Sequence, residues 1–273
     1  MFHMTKIRTL VAALSAAALG VVAMPTPLSA DAAGGLVLFS PTPPPVTGVV
    51  TNEFAFWNPR LGASRISGDW TMNSGSVFSA TTPLGYSYYS GNIDDNNPDA
   101  LSRGGTHSAI FRMTSRRDDF RDVTVNMALS IAGFGATEST PAKTWDGVHL
   151  WLRYQNDRHT YYASLARRDG RVVIKKKCPG GWVNGGSYHE LSEEVDGFPM
   201  RRNLWKDFSV TTRNNPDGSV AIQIKREGDV VVSAVDHGVG CAPITQPGAL
   251  GLRGDNSRFY FRDFEVRTAA AIG

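Results

Sequence analysis

From about residue 49 onward, apolar and polar residues alternate with a period of two through many short segments, and no segment has a convincing helical period. Turn dipeptides such as Asp169-Gly170, Asp217-Gly218 and Glu227-Gly228 separate some of these segments, as in β-hairpins. The pattern predicts strands at 76–79, 107–113, 123–131, 147–154, 160–167, 172–177, 207–213, 220–226, 230–235, 248–253 and 259–267. Many short strands in one domain are typical of a β-sandwich or barrel.

The N-terminal segment has the layout of a secretory signal. Lys6 and Arg8 precede an uncharged run of Ala, Leu and Val, and Leu28-Ser29-Ala30 supplies a small-residue cleavage site. The alternative is a membrane anchor, for which the apolar run is short. We therefore predict a secreted, extracellular protein.

Three regions follow from these features. We predict a signal peptide over 1–30, a linker over 31–48 and one β-domain over 49–268. The linker assignment rests on the run SPTPPPVTG, because successive prolines favour a stiff extended chain over a helix or a central strand.

Charge excludes two classes of partner. The chain has 28 basic and 25 acidic residues, and loss of Lys6 and Arg8 with the signal leaves 26 against 25. With no basic tail and no overall basicity, the sequence gives no argument for binding nucleic acid or a membrane. We expect a monomer that requires no cofactor.

Two motifs resemble those of the concanavalin A-like lectin/glucanase jelly rolls. GDWTMNSGS, at 68–76, resembles their G-x-W-x-x-x-x-G opening, and GALGLRGDN followed by FYFRDFEV, at 248–256 and 259–266, resembles their closing strands. The resemblance implies an all-β jelly-roll sandwich of two antiparallel sheets. It leaves function open, because this superfamily contains lectins, glycoside hydrolases, polysaccharide lyases and adhesion modules.

Alternation along 147–154 predicts which side chains share a surface. Val148, Leu150, Leu152 and Tyr154 form the row expected in the core, while the opposite row faces outward. If the neighbouring strands adjoin in one sheet, its outer face carries Arg112, Asn126, His149, Trp151, Arg153, Tyr162, Arg168, Lys175 and Lys177. Residues 146–177 hold eight basic against three acidic residues, which suits an anionic ligand. An ordinary solvated sheet face is the alternative.

The residue types on this face are similar to those of alginate-lyase-like enzymes, which place Arg, Asn or Gln, His and Tyr on adjacent strands. That resemblance implies β-elimination on a uronate-containing polysaccharide, with His149 and Tyr162 as base and acid. Arg112, Asn126 and Arg153 would hold the uronate carboxylate. The further predicted substrate contacts are Trp151, Lys175, Lys177, Trp182 and Tyr188.

Two other functions remain open. A non-catalytic sugar-binding or adhesion module is served by the same fold, with exposed rings as stacking platforms: Trp145, Trp151, Trp182, Tyr188 and Tyr162. A glycoside hydrolase is less expected, because the chain has no Glu-x-Asp-x-x-Glu string to supply paired carboxylates.

Two features concern stabilisation. The chain has two cysteines, Cys178 and Cys241, and an even number in an oxidising compartment favours a disulfide over two separate buried thiols. A structural calcium ion is a candidate at 92–99, where oxygen ligands are concentrated, although such a run also forms solvated turns. Glu53 and Asp263 are a second candidate pair, since the first and last strands adjoin in this fold.

Overall fold

The architecture is described from a computed structural model, which covers residues 35–95, 104–269 and 272. The predicted signal peptide lies outside these residues, as does 96–99 of the predicted calcium-binding stretch, and both remain predictions.

The described chain forms two antiparallel sheets, as predicted. The nine-stranded sheet contains β1 (Val37–Phe39), β2 (Gly48–Asn52), β4 (Ser76–Thr82), β5 (Gly85–Tyr89), β7 (Val123–Phe134), β12 (Trp205–Asn214), β13 (Val220–Arg226), β14 (Asp229–Asp236) and β16 (Ser257–Thr268). Its order is β14-β13-β12-β7-β16-β5-β4-β2, and β1 also pairs with β16.

The seven-stranded sheet contains β3 (Trp70–Ser74), β6 (Ile110–Ser115), β8 (Gly147–Asn156), β9 (His159–Arg167), β10 (Val173–Val183), β11 (Gly186–Glu190) and β15 (Ala249–Asp255). Its order is β11-β10-β9-β8-β15-β6-β3. A short helix, α1 (Phe54–Trp57), lies between β2 and β3 in the chain. Among the described residues, no helix has the length and apolar character needed to cross a membrane.

Each strand predicted from alternation overlaps a strand of the structure, so the all-β sandwich is confirmed. The pattern missed β1, β2, β3, β5 and β11. These strands have three to five residues, which is too short for a period of two to stand out. β1 falls within the predicted linker yet pairs with β16, so the sheet extends into that segment.

The core lies between the sheets and is rich in aromatic rings. Trp70 is completely buried and lies edge-on to Phe264, with ring centroids 5.1 Å apart. Phe39 from β1 packs edge-on against the same indole at 5.5 Å. The side chains of this short N-terminal strand are thus part of the core packing.

A buried ion pair and the hydrogen bonds around it attach the end of β14, and the 237–247 segment that follows it, to β10. Lys176 lies on the inward side of β10 and is completely buried, with its Nζ 2.7 Å from Oδ2 of Asp236. Lys176 also donates to the carbonyl of Cys241, and the Tyr161 hydroxyl donates to Asp236. Cys241 forms the predicted disulfide with Cys178, two residues along β10, so a covalent link and an ion pair hold this segment at neighbouring points.

We expect Lys176→Met to destabilise the fold by about 3–5 kcal/mol, because it leaves the Asp236 carboxylate buried without its cation. The double variant Lys176→Met/Asp236→Asn should recover much of that loss, since it removes both charges and keeps a side-chain acceptor for Tyr161. Urea unfolding of the three proteins measures this. Equal losses in the single and double variants would show that the ion pair is not the cause.

Candidate functional site

The outer face of the seven-stranded sheet carries the predicted row of His149, Trp151 and Tyr162. Trp151 lies opposite Tyr162 in the β8–β9 register, and all three side chains point away from the core between the sheets. Their exposed fractions are only 6, 1 and 5 %. The ring of Tyr154 stacks over Trp151 with centroids 4.9 Å apart, and Tyr188 lies edge-on against Tyr162 at 5.0 Å. The expectation that Trp151 and Tyr162 present open rings is wrong, because a second layer of side chains covers them.

A β-bulge at Arg153 interrupts the alternation of β8. Arg153 has a left-handed φ of 49°, and the β15 register steps from Gly251 opposite Trp151 to Ala249 opposite Tyr154. Tyr154 therefore points outward, and Arg153 points inward. The predicted positions of these two residues are wrong, since the bulge reverses the sides on which they lie.

The Arg153 side chain is fully buried, which does not fit a substrate contact. Its guanidinium donates to the carbonyls of Arg121 and Ile244 at 2.9 and 2.6 Å and lies 3.1 Å from Asp122. Burial lowers its pKa to about 10, against the effect of Asp122. Arg153 thus connects loops at this end of the sandwich.

Asn126 is also misplaced by the sequence prediction. It lies on β7 of the nine-stranded sheet, between Ser209 and Glu265 in the register, whereas Arg112 lies on β6 of the seven-stranded sheet. Alternation shows which side of its own strand a residue occupies, but it does not show which sheet the strand joins. Asn126 and Arg112 cannot share one carboxylate.

Arg253, which the sequence analysis missed, is at the centre of the outer face. Its guanidinium forms a two-pronged contact with Asp255, with Nε–Oδ2 and Nη2–Oδ1 distances of 2.8 Å. Burial would raise the pKa of Asp255, but Arg253 lowers it overall, so the carboxylate stays charged. Alternation in GLRGD at 251–255 places Arg253 on the outward side of its strand, and this pattern could have identified it from the sequence.

His149 lies beside this pair, with its Nε2 3.6 Å from Oδ2 of Asp255 and its Nδ1 2.9 Å from Oγ of Ser164. Burial lowers the pKa of His149 to about 4, and Asp255 offsets only part of that effect. The imidazole is therefore neutral at pH 7, with a protein partner at each ring nitrogen.

A pair of tyrosine hydroxyls lies next to Arg253. The hydroxyls of Tyr162 and Tyr188 are 2.8 Å apart, and Nη1 of Arg253 is 3.5 and 3.4 Å from them. Burial raises the pKa of Tyr188, so its hydroxyl remains protonated at neutral pH. The outer face thus holds O–H donors and a guanidinium within one small region.

Lys177 is the basic residue that lies beside Tyr188 on the outer face. It lies opposite Tyr188 in the β10–β11 register, with Nζ 5.2 Å from the ring centroid, and it is 1 % exposed. No carboxylate of the described residues lies within 4.0 Å of its Nζ. Burial, reinforced by Arg253, lowers its pKa to about 8. Lys177 is therefore a partly neutral amine near physiological pH.

Other cations of this face are paired with acids. Arg112 lies 3.8 Å from Asp157, and Lys175 lies 2.9 Å from Glu190 on β11. The local excess of positive charge predicted over 146–177 is largely neutralised by such partners from other segments. The broad cationic surface predicted from sequence is thus reduced to a small region around Lys177.

Exposed aromatic side chains flank this face. A cleft of about 520 Å³ at one end is lined by residues including Phe56, Thr71, Thr114, Tyr154 and Gln155. Helix α1 exposes the ring of Phe56 and, next to it, that of Trp57. Trp182, predicted as a substrate contact, is fully exposed near the end of β10. The two aromatic residues of α1 were not among those predicted from the sequence.

The structure does not bring Glu53 and Asp263 together as predicted. Glu53 directly follows β2, and β4 and β5 separate that strand from β16, which carries Asp263. The first strand that pairs with β16 is β1, which the prediction did not include. Within 35–95 and 104–269, no group of three or more His, Cys, Asp or Glu side chains is arranged to hold a metal ion.

No family model and no curated protein matches this chain. Several solved structures do match it. A Bacillus subtilis protein of unknown function with a galectin-like fold has 12 % identity and a TM-score of 0.49, covering 74 % of this chain and 90 % of that one. A double mutant of the alginate lyase Aly36B, in complex with alginate tetrasaccharide, has 12 % identity and a TM-score of 0.47, covering 86 and 98 %. The Emp46p carbohydrate recognition domain has 11 % identity and a TM-score of 0.45, covering 74 and 89 %. These values are too low to transfer an activity.

We expect Asp255→Asn to destabilise the protein by about 3 kcal/mol or more, because it leaves the Arg253 guanidinium buried without its carboxylate. Asp157→Asn is the matched control. It breaks the more exposed pair with Arg112 and should cost less than about 1 kcal/mol. Urea unfolding at pH 7 compares them, and a loss for Asp157→Asn as large as that for Asp255→Asn would contradict the ranking.

Proposed function

We propose that this chain is a secreted protein that cleaves an acidic polysaccharide by β-elimination on the outer face of the seven-stranded sheet. The observation that carries the proposal is Lys177, an almost buried lysine without a carboxylate partner among the described residues, beside Arg253 and two tyrosine hydroxyls. Strongly shifted titratable groups that gather in one place are typical of catalytic sites.

The reaction requires removal of the proton on C5 of a uronate, next to its carboxylate. The C–H electron pair becomes the C4–C5 double bond, the bond from C4 to the glycosidic oxygen breaks, and that oxygen takes a proton. Lys177 suits the base, since a pKa of about 8 leaves roughly a tenth of it neutral at pH 7. Tyr188 is assigned as the acid because its hydroxyl is protonated and its residue lies opposite Lys177; with a raised pKa it donates only as the departing oxygen becomes strongly basic.

The uronate carboxylate needs cationic donors, because charge accumulates on it as the proton leaves. Arg253 presents Nη1 toward the tyrosine hydroxyls, while Asp255 fixes the other edge of its guanidinium. Arg112 is the neighbouring cation, 3.8 Å from a half-exposed Asp157 that a ligand carboxylate would have to displace. We assign both arginines to binding the carboxylate.

The two residues predicted from sequence as base and acid take different roles in this proposal. Tyr162 shares a hydrogen bond with Tyr188, so it orients the proposed acid. His149 has Ser164 and Asp255 at its ring nitrogens, so we assign it a positioning role.

A non-catalytic sugar-binding module is the second candidate. It is favoured by the exposed rings of Phe56, Trp57 and Trp182 around the same face, since sugar rings pack against exposed aromatic faces. Export is supported in either case by the predicted signal peptide and by the Cys178–Cys241 disulfide, which suits an oxidising compartment.

Incubation with a panel of uronate polymers, followed by ultraviolet absorbance of the unsaturated product, tests the proposal. We expect Lys177→Met to lower kcat by about 100-fold or more, because it removes the base and keeps the length of the side chain. Lys175→Met is the matched control, since Lys175 is paired with Glu190, and it should change kcat only slightly. Polymer binding without product in the unaltered protein would favour the non-catalytic module.

The pH profile gives a second test. Because the base must be the neutral amine, kcat/KM should fall about tenfold per pH unit below the pKa of Lys177, which is about 8, and level off above it. Steady-state rates between pH 5 and 9.5 measure this. A profile that is already level from pH 5 upward would instead assign the base to His149, whose pKa is about 4.

A further inference from the structure

Aromatic residues form a row across the outer face of the nine-stranded sheet. Along one line perpendicular to the strands, the register places Phe78, Tyr89, Tyr260, Ser130 and Trp205 side by side on β4, β5, β16, β7 and β12. Their neighbours along these strands are core residues, namely Val77, Tyr88, Leu129, Phe259 and Phe261. The row therefore points away from the core, on the opposite side of the sandwich from Lys177.

The rings of this row form a partly exposed platform. Tyr89 and Tyr260 stack with centroids 4.6 Å apart and planes within 21° of each other, and Phe78 continues the row 6.2 Å from Tyr89. Beyond Tyr260, Ser130 places a small side chain before Trp205, over whose ring Arg262 lies at 5.1 Å. The ring of His107 stacks on Phe78 at 5.4 Å, so the half-buried rings of Tyr89, Tyr260 and Trp205 supply the surface for the apolar faces of sugar rings.

Two arginines converge at the edge of this platform. A side chain on Gly133 would begin 3.0 Å from Nη2 of Arg202 and 3.2 Å from Nη2 of Arg258, so both guanidinium groups lie over this glycine. No carboxylate of the described residues is within 4.0 Å of either. Arg258 also interacts with the Tyr89 hydroxyl, which connects the pair to the rings. Guanidinium groups held close together repel, and an anion between them would relieve that repulsion.

We infer that the outer face of the nine-stranded sheet is a second binding site, for a polysaccharide with carboxylate or sulfate groups. Sugar rings lie on Tyr89 and Tyr260, and an acidic group lies between Arg202 and Arg258. Trp205 with Arg262 gives a second contact farther along the chain of sugars. The site is independent of the proposed lyase activity, because it lies on the other sheet.

A polysaccharide fits this face better than a nucleic acid. The two guanidinium groups over Gly133 form one compact cationic point on this face, and the chain as a whole carries nearly balanced charge. Nucleic acids are bound by extended basic surfaces that follow many phosphates. Single-stranded RNA is therefore a competing ligand in the test.

The test measures binding in the Lys177→Met background, so that the proposed catalytic site cannot degrade the ligand. The ligands are a polyuronate, a sulfated glucan, a neutral glucan, polyglutamate and single-stranded RNA. We expect Arg202→Gln/Arg258→Gln to raise the Kd for the polyuronate, the sulfated glucan or both by tenfold or more. The polysaccharide whose Kd rises shows whether the site takes a carboxylate or a sulfate group. Tyr260→Leu should weaken the same polysaccharides, because it removes the stacking ring.

Arg213→Gln is the matched control, since Arg213 is an exposed arginine of β12 in the same sheet but outside the row. Thermal unfolding confirms that each variant is folded. The inference is overturned if the double arginine variant binds as tightly as its parent, if Arg213→Gln weakens binding equally, or if polyglutamate or RNA binds as tightly as the acidic polysaccharides. Absence of lyase product in the unaltered protein would count against the proposed function only, because this binding is measured without it.

Discussion

The β-bulge at Arg153 is the constraint on which the arrangement of both sides of β8 depends. A left-handed backbone at a non-glycine residue costs about 1 kcal/mol or more, and here the buried guanidinium offsets it through contacts with Asp122 and the carbonyls of Arg121 and Ile244. The same bulge turns Tyr154 outward, where it covers Trp151 and lines the cleft beside α1. One extra residue in one strand thus connects the packing at the end of the sandwich to the surface proposed to bind substrate.

Pairing with a carboxylate separates the structural Lys176 from the proposed base Lys177. Lys176 is buried against Asp236, so its charge is compensated within the fold. Lys177 follows Lys176 in sequence but points to the other side of β10, where it has an aromatic ring and nearby arginines instead of a carboxylate. Its ammonium form is destabilised, and the neutral amine is what proton abstraction requires. Arg202 and Arg258, on the opposite sheet, likewise have no carboxylate of the described residues within 4.0 Å, and Arg202 is exposed while Arg258 is half-buried, which favours binding over catalysis.

The sequence could predict the fold because alternation is a local property, while the site depends on pairings between distant segments. Val148, Leu150 and Leu152 were placed correctly, and the prediction failed only beyond the bulge, at Arg153 and Tyr154. Asn126 was assigned to the wrong sheet because strand order is not encoded in the period of two. The charge of the face was overestimated because Glu190 and Asp255 come from other strands. The disulfide was predictable since only two cysteines are present.

The ionisation of Lys177 is the central claim, and nuclear magnetic resonance can follow it directly at the labelled side chain. We expect a pKa of about 8 in the free protein and a rise when a short, uncleavable uronate oligosaccharide binds, because the added carboxylate stabilises the ammonium form. Lys175, which is paired with Glu190, is the internal reference. A Lys177 pKa near the ordinary value of about 10.4, unchanged by the oligosaccharide, would contradict the account.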